Sequence, residues 1–269
     1  MIATPTDLAK VLGLPHRQQK PRLRGLTVAI DGGLPAGQVR DLAQSAGHLI
    51  DLWKFGWGTS LVTRDLEAKI EALDRADIAF FFGGTLFEKF VARGRLDDYR
   101  RFCREHGARH VEVSNGTVAM SNREKARYVE ELAGEFMVLS EVGYKDPIRS
   151  ALLTPAEWAC YLRQDLEAGA ALVVTEARES GQSGICDENG ELRHGAFDEI
   201  VGSGIDLDRV VFEAPTKRLQ TRFIKELGPN VNLGNVAPGE AIGLETLRLG
   251  LRSDTFEISD SEEASPHAR

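Results

Sequence analysis

The sequence predicts one α/β domain folded as a single (β/α)8 TIM barrel, and three observations predict it. Apolar runs of strand length alternate with amphipathic stretches of helix length. The alternation repeats eight times between residues 24 and 256, and charged residues collect just past the ends of the runs. Strict alternation calls for a parallel sheet covered by helices, because consecutive parallel strands need a crossover between them. Eight units favour closure into a barrel over the alternative, a doubly wound open sheet with an extra strand.

The first run, residues 26–30, stops at Asp31-Gly32-Gly33 and feeds a helix over 36–46. The second, 49–55, is followed by 64–76, where Leu66, Ile70 and Leu73 share one helical face. The third, 78–82, stops at Gly83-Gly84 and feeds one long helix over 86–106. The fourth and fifth runs, 110–114 and 136–142, are followed by helices over 122–133 and 155–168. The sixth, 171–177, is followed by a pause. Residues 186–193 contain Asp187-Glu188-Asn189-Gly190, a tight-turn signal, and read as a short hairpin excursion before a helix over 197–202. The seventh run, 210–214, feeds 219–227, and the eighth, 231–233, feeds 239–250. Residues 1–23 read as a loosely ordered extension with little periodic pattern, and 257–269 as a flexible acidic tail.

Composition excludes other classes. With 42% hydrophobic residues the chain of 269 can bury a core, so it is not predominantly disordered. Three scattered cysteines make no disulfide framework, and no apolar run is long enough to span a membrane. The start lacks a signal-peptide pattern, so a cytoplasmic setting is expected. The net charge of −8 argues against nucleic acid as a partner, and an anionic substrate has to be met by local lysine and arginine.

In a barrel of this kind chemistry sits at the C-terminal ends of the strands. Asp31, Lys54, Glu112, Ser114, Glu141, Glu176, Arg178, Glu213 and Asn235 all fall there, with Lys145 four residues past Glu141. Buried charges are costly unless paired or metal-bound, so a ring of mixed charge points to an anion site with a divalent cation. Carboxylates without a His or Cys cluster suit a hard cation such as Mg2+, for which Asp31, Glu112, Glu141, Glu176 and Glu213 are the candidate ligands. Other motifs carry less. His106 and His110 are separated by a helix end, Gly181-Gln182-Ser183-Gly184 is no nucleophile elbow, and Gly83-Gly84 lacks the dinucleotide-binding pattern. Trp53 and Trp57, flanking Lys54, read as packing residues at the barrel end.

The segment Lys54-Phe55-Gly56-Trp57-Gly58-Thr59-Ser60 resembles a hallmark of phosphosulfolactate synthases. So do Gly83-Gly84-Thr85-Leu86-Phe87-Glu88, Ser140-Glu141-Val142-Gly143 and Glu176-Ala177-Arg178-Glu179-Ser180-Gly181. The match continues through Phe212-Glu213-Ala214-Pro215, Asn230-Val231-Asn232-Leu233-Gly234-Asn235 and Leu244-Glu245-Thr246-Leu247-Arg248. The resemblance implies the same barrel, and a Mg2+-dependent addition of sulfite to phosphoenolpyruvate giving (2R)-phospho-3-sulfolactate, the first step of one coenzyme M route. It implies Lys145 as general acid, its pKa lowered by nearby cations or burial, with Lys54 and Arg178 offsetting the charge of two anions. Lys54, Ser114, Arg178, Ala214 and Asn235 are the expected substrate contacts, and a homo-oligomer is expected. Two positions depart from the pattern: Gly32 stands where the family has lysine after the strand-1 aspartate, and Tyr144 replaces the first of the two lysines that follow Glu-Val-Gly, the second surviving as Lys145. Two other readings therefore stay open on the sequence: a related barrel lyase acting on another phosphorylated enol, and a non-catalytic, stress-associated member of the same family.

Overall fold

The structure, a computed structural model, describes residues 5–259. Eight short strands run parallel around one axis: β1 (Thr27–Asp31), β2 (Leu52–Phe55), β3 (Ala79–Phe82), β4 (His110–Val113), β5 (Met137–Val142), β6 (Leu172–Thr175), β7 (Val210–Glu213) and β8 (Asn232–Val236). Their order is β3-β2-β1-β8-β7-β6-β5-β4. Among the described residues β3 and β4 are joined by no ladder, so the barrel is nearly closed, with one seam. The helices are α1 (Pro5–Val11), α2 (Ala36–Ala46), α3 (Leu66–Arg75), α4 (Gly84–Val91), α5 (Leu96–Glu105), α6 (Asn122–Ala133), α7 (Pro147–Leu152), α8 (Pro155–Glu167), α9 (His194–Gly202), α10 (Lys217–Leu227) and α11 (Ala241–Arg248). No helix among the described residues is long and apolar enough to cross a membrane.

The alternation of side chains along each strand builds the interior in layers. Val28, Leu52, Phe81, Leu139, Val174 and Val211 fill one apolar layer inside the barrel. Two residues further along the same strands come Ile30, Lys54, Gly83, Glu141, Glu176 and Glu213, on the same inward face. An apolar floor thus carries a charged ring. A larger apolar cluster, including Trp53, Phe82, Val111, Val173 and Phe212, lies between the sheet and the helices.

Several elements differ from expectation, each for a local reason. The long helix over 86–106 is two helices, because the chain breaks at Ala92–Arg95, where Gly94 takes φ +64°. The eighth strand begins at Asn232 and runs on to Val236, so Asn235 lies inside it. There Thr27 pairs with Leu233 and Ala29 with Val236, a bulge that places three steps opposite two. Asn235 takes φ +53° at that bulge. The loop after β5 contains α7, which starts on a Pro147 at its first position and is capped by the Asp146 side chain. The excursion after β6 is a minimal hairpin, a single antiparallel bridge between Cys186 and Leu192. Asp187 Oδ1 closes its turn by accepting from the Asn189 and Glu191 amides.

The segment before β1 is tied down more than its pattern promised. Arg17 reaches Glu245 on α11 and the Asn230 side chain, Lys20 the carbonyls of Gly47 and Asp77, and Arg22 the carboxylate of Asp51. Apart from Glu245, these partners stand just before β2, β3 and β8, so the segment is fastened across the N-terminal end of the barrel. Of the predicted acidic tail, 260–269 lies outside the described residues.

Candidate active site

The charged ring opens into a pocket at the C-terminal ends of the strands. Ile30, Lys54, Trp57, Gly83, Gly84, Thr85, Glu112, Glu141, Lys145, Glu176, Arg178, Glu179, Glu213 and Asn235 line it. Lys54 stands at its floor, with its Nζ 2.9 Å from Glu112, 3.4 Å from Glu213 and 3.6 Å from Glu141. Lys145 comes in from above: its Nζ lies 3.3 Å from Glu141, 3.7 Å from Glu176, 3.9 Å from Glu88 and 3.3 Å from Thr85 Oγ1. Five buried carboxyl groups therefore face two lysines, and the site carries excess negative charge.

That imbalance sets the protonation of the ring. Burial pushes Glu112 up to about 7, and Glu141 and Glu213 add to the rise against the pull of Lys54 and the Gly84 N–H. Burial, then repulsion from Glu141 and Glu213, raises Glu176 well above the carboxylate range. Burial raises Glu213 too. Glu141 goes the other way: burial opposes its charge, but Lys145 and Lys54 overcome that and hold it at about 2. Burial would likewise lower Lys54, yet Glu112, Glu213 and Glu141 outweigh it and lift its pKa well above the ordinary value. For Lys145 the lowered pKa expected from the sequence is corrected. Burial acts downward, but Glu141, Glu176 and Glu88 more than reverse it, so the ammonium holds its proton more tightly than a free lysine.

Glu141, Glu176 and Glu213 each offer an oxygen within 4.8 Å of the others'. Glu176 Oε2 is buried and accepts no hydrogen bond. An all-oxygen donor set with more carboxyl groups than cations, one of its buried oxygens having only Lys145 Nζ beyond hydrogen-bond reach at 3.7 Å, fits a hard divalent cation. Glu112 stands beside this group, committed to Lys54 and to the Gly84 amide at 2.5 Å.

The other predicted residues are placed unequally. Arg178 and Asn235 reach the pocket. Arg178 has a left-handed backbone at φ +58°, its amide donates to Glu176 Oε1 at 2.6 Å, and its guanidinium touches the Lys145 carbonyl. Asp31 faces outward. Its Oδ2 is paired with Lys69 of α3 at 2.6 Å, both side chains fully buried, and its Oδ1 accepts from the Gly33 and Leu34 amides. Ser114 lies one layer behind the pocket and donates to Glu88 at 2.5 Å. The Ala214 amide is spent on Gly234 and its carbonyl on Gln220, so neither faces the mouth. Gly32 is explained by its neighbour: a Cβ there would lie 2.5 Å from Trp57 Cζ3. Tyr144 turns aside to stack on the Arg149 guanidinium, 4.1 Å away.

Glu88 is the residue that strand-end reasoning missed. It projects from α4, accepts from the amides of Gly116, Thr117 and Val118, and so shapes the loop after β4 while facing Lys145. The signal was available: Glu88 follows Gly84 by four residues, and so returns to the face of α4 that opens on the barrel mouth.

The sequence profile of the family described as "(2R)-phospho-3-sulfolactate synthase (ComA)" matches residues 15–254. The chain belongs to the phosphosulfolactate synthase family. The phosphosulfolactate synthase of Bacillus subtilis is 51% identical over 91% of this chain and 97% of its own length. That of Methanothermobacter thermautotrophicus is 44% identical over 90% and 95%. Among solved structures, a 3-hexulose-6-phosphate synthase superposes with a TM-score of 0.54 at 13% identity, covering 83% of this chain and 99% of that one, which bears out the TIM barrel alone. Phosphosulfolactate synthases are enzymes, and the charged mouth described above is where this member places its ionisable residues.

Proposed function

We propose that this chain joins sulfite to phosphoenolpyruvate, giving (2R)-phospho-3-sulfolactate. The observation that carries the reading is the pairing, in one pocket, of Lys54, Lys145 and Arg178 with the Glu141–Glu176–Glu213 group. In this reaction the sulfite sulfur lone pair forms a bond to C3 of the enol phosphate. The C2–C3 π electrons move toward C2 and the carboxylate, and C2 then takes a proton. A divalent cation such as Mg2+ held by Glu141, Glu176 and Glu213 supplies positive charge for the substrate carboxylate when bound.

Lys145 carries an ammonium proton at the mouth on a side chain that is only partly buried, and it delivers that proton to C2. Two of the three carboxylates that hold its pKa up, Glu141 and Glu176, belong to the group that would hold the cation, whose charge would make Lys145 a better acid. Lys54 is fixed by three glutamates and presents a permanent positive charge, and Arg178 stands at the rim; together they offset the repulsion between two anions. Asn235, turned inward by the bulge in β8, contributes an amide able to donate to an anion. A cytoplasmic setting and a homo-oligomeric assembly belong to the same proposal. The test is direct: purified protein with phosphoenolpyruvate, sulfite and Mg2+, followed by mass spectrometry. Phosphosulfolactate is the expected product, and its absence while another phosphorylated enol is consumed favours the related-lyase reading.

A further inference from the structure

We infer that Trp57 is a substrate-contacting residue, and that the half of its indole left in water is the surface a bound enol phosphate covers. This rests on the function proposed above. Three independent features of Trp57 point the same way. Its backbone is left-handed at φ +51° and ψ +25°, followed by Gly58 at φ +69°. For a bulky residue that conformation is strained, and such strain concentrates at ligand sites. Its side chain does not recover the cost by burial: Trp57 is 51% exposed, whereas Trp53 and Trp158 are fully buried. A tryptophan kept for packing would be inside.

The third feature is the place made for it. Gly32 has no positive φ, so its backbone tolerates any residue; what excludes a side chain is the indole, whose Cζ3 lies 2.5 Å and Cη2 3.2 Å from a Cβ built there. The adjacent Gly33, at φ +120°, is a glycine for backbone reasons instead. In this chain the indole thus rests over Gly32 at the pocket wall. The turn that presents it is well fastened, with Thr63 Oγ1 donating to Thr59 O and the Gly83 amide to Phe55 O. In a lining otherwise dominated by charged and small residues, Trp57 and Ile30 are the large apolar side chains. The indole offers a flat apolar face in the pocket that Lys54 floors, suited to the planar, unsaturated end of an enol phosphate whose anionic groups take the cations.

The experiment reads the indole directly. Acrylamide quenching of tryptophan emission is measured for the wild type and Trp57→Phe while phosphoenolpyruvate binding is followed separately by calorimetry. Because the other two tryptophans are buried, the readily quenched emission belongs to Trp57 and is missing from Trp57→Phe. Saturating phosphoenolpyruvate is expected to protect it, lowering the quenching constant about twofold or more. Trp57→Ala is expected to raise KM for phosphoenolpyruvate roughly tenfold with kcat changed much less, and Trp57→Phe to restore most of the loss. Gly32→Ala, which displaces the indole, should shift KM in the same direction as Trp57→Ala. Calorimetric binding with unchanged quenching overturns this inference and leaves the proposed function standing, and so does an unchanged KM in Trp57→Ala. A wild type that binds no phosphoenolpyruvate overturns the proposed substrate and this inference with it.

Discussion

Lys145 is surrounded by acceptors rather than by hydrocarbon, with Glu141, Glu176, Glu88 and Thr85 all in reach of its Nζ. If it donates the proton to C2, Lys145→Ala lowers kcat by roughly 10²–10⁴-fold, while KM for phosphoenolpyruvate moves far less. Lys145→Arg does not restore the rate, because a guanidinium keeps its proton near neutral pH. Steady-state kinetics on the folded variants check this, and a Lys145→Ala enzyme with near-wild-type kcat removes Lys145 from the reaction. At this scale the sequence was legible where function follows strand position. Lys54, Glu141, Glu176 and Glu213 each end or follow an apolar run, and each lines the pocket. Asp31 shows where that reading stops. It also ends a run, but strand position alone does not say which face a terminal side chain takes, and Asp31 turns outward to Lys69.

Two buried ion pairs hold the strands from behind. Besides Asp31–Lys69, Lys125 of α6 pairs with Asp165 of α8 at 2.7 Å, both fully buried, and donates to the Glu141 carbonyl at 2.6 Å. Asp165 also accepts from Ser140 of β5. Breaking a buried pair on one side leaves an uncompensated charge, so Lys125→Met should destabilise the protein by roughly 3–5 kcal/mol, and the double variant Lys125→Met, Asp165→Leu by clearly less. Denaturant unfolding of the three proteins measures both values, and equal losses in single and double variants contradict the pairing. Neither lysine stood out in the sequence. Each sits on an amphipathic helix, where a lysine reads as solvated unless its partner on another element is known. The helices themselves were legible, α2 and α6 to the residue, because 3.6-residue periodicity and the Ser121–Glu124 capping box are local signals. The break at Gly94 was not, since a lone glycine also occurs within helices.

For the molecule as a whole, the surplus of buried carboxyl groups makes stability depend on pH and on cations. Glu112, pushed up from 4.5 to about 7, binds its proton more tightly in the folded state than in the unfolded chain. Its contribution to stability is therefore fully present below pH ~4.5 and lost as pH rises through about 7. Glu176 and Glu213 act in the same direction. Glu141, held at about 2, acts oppositely, and its contribution is lost only as pH falls through that value. Chelator-treated protein should lose Tm between pH 5 and 8, and Glu112→Gln should flatten that slope, by no more than about 3 kcal/mol at the upper end. Differential scanning fluorimetry across that range decides it, and a flat wild-type profile speaks against the raised carboxyls. Mg2+ returned in hundredfold excess over its dissociation constant should raise stability by ~2.7 kcal/mol, and Glu176→Gln should abolish most of that gain. An identical Tm with and without Mg2+ argues against a cation held by the three glutamates.

Glu112 has a second position in the molecule besides its place in the ring. It stands on β4 and accepts from the Gly84 amide just past β3, across the seam where the two strands form no ladder. The carboxyl that balances Lys54 is therefore also a clasp on the weakest line of the barrel. The amides of β3 and β4 that face each other should exchange with deuterium ahead of those between β1 and β8, and Gly84 should mark the point where such breathing is restrained. A ligand that draws Glu112 away from Gly84 at the mouth should therefore speed amide exchange along this seam, and one that leaves the contact in place should not.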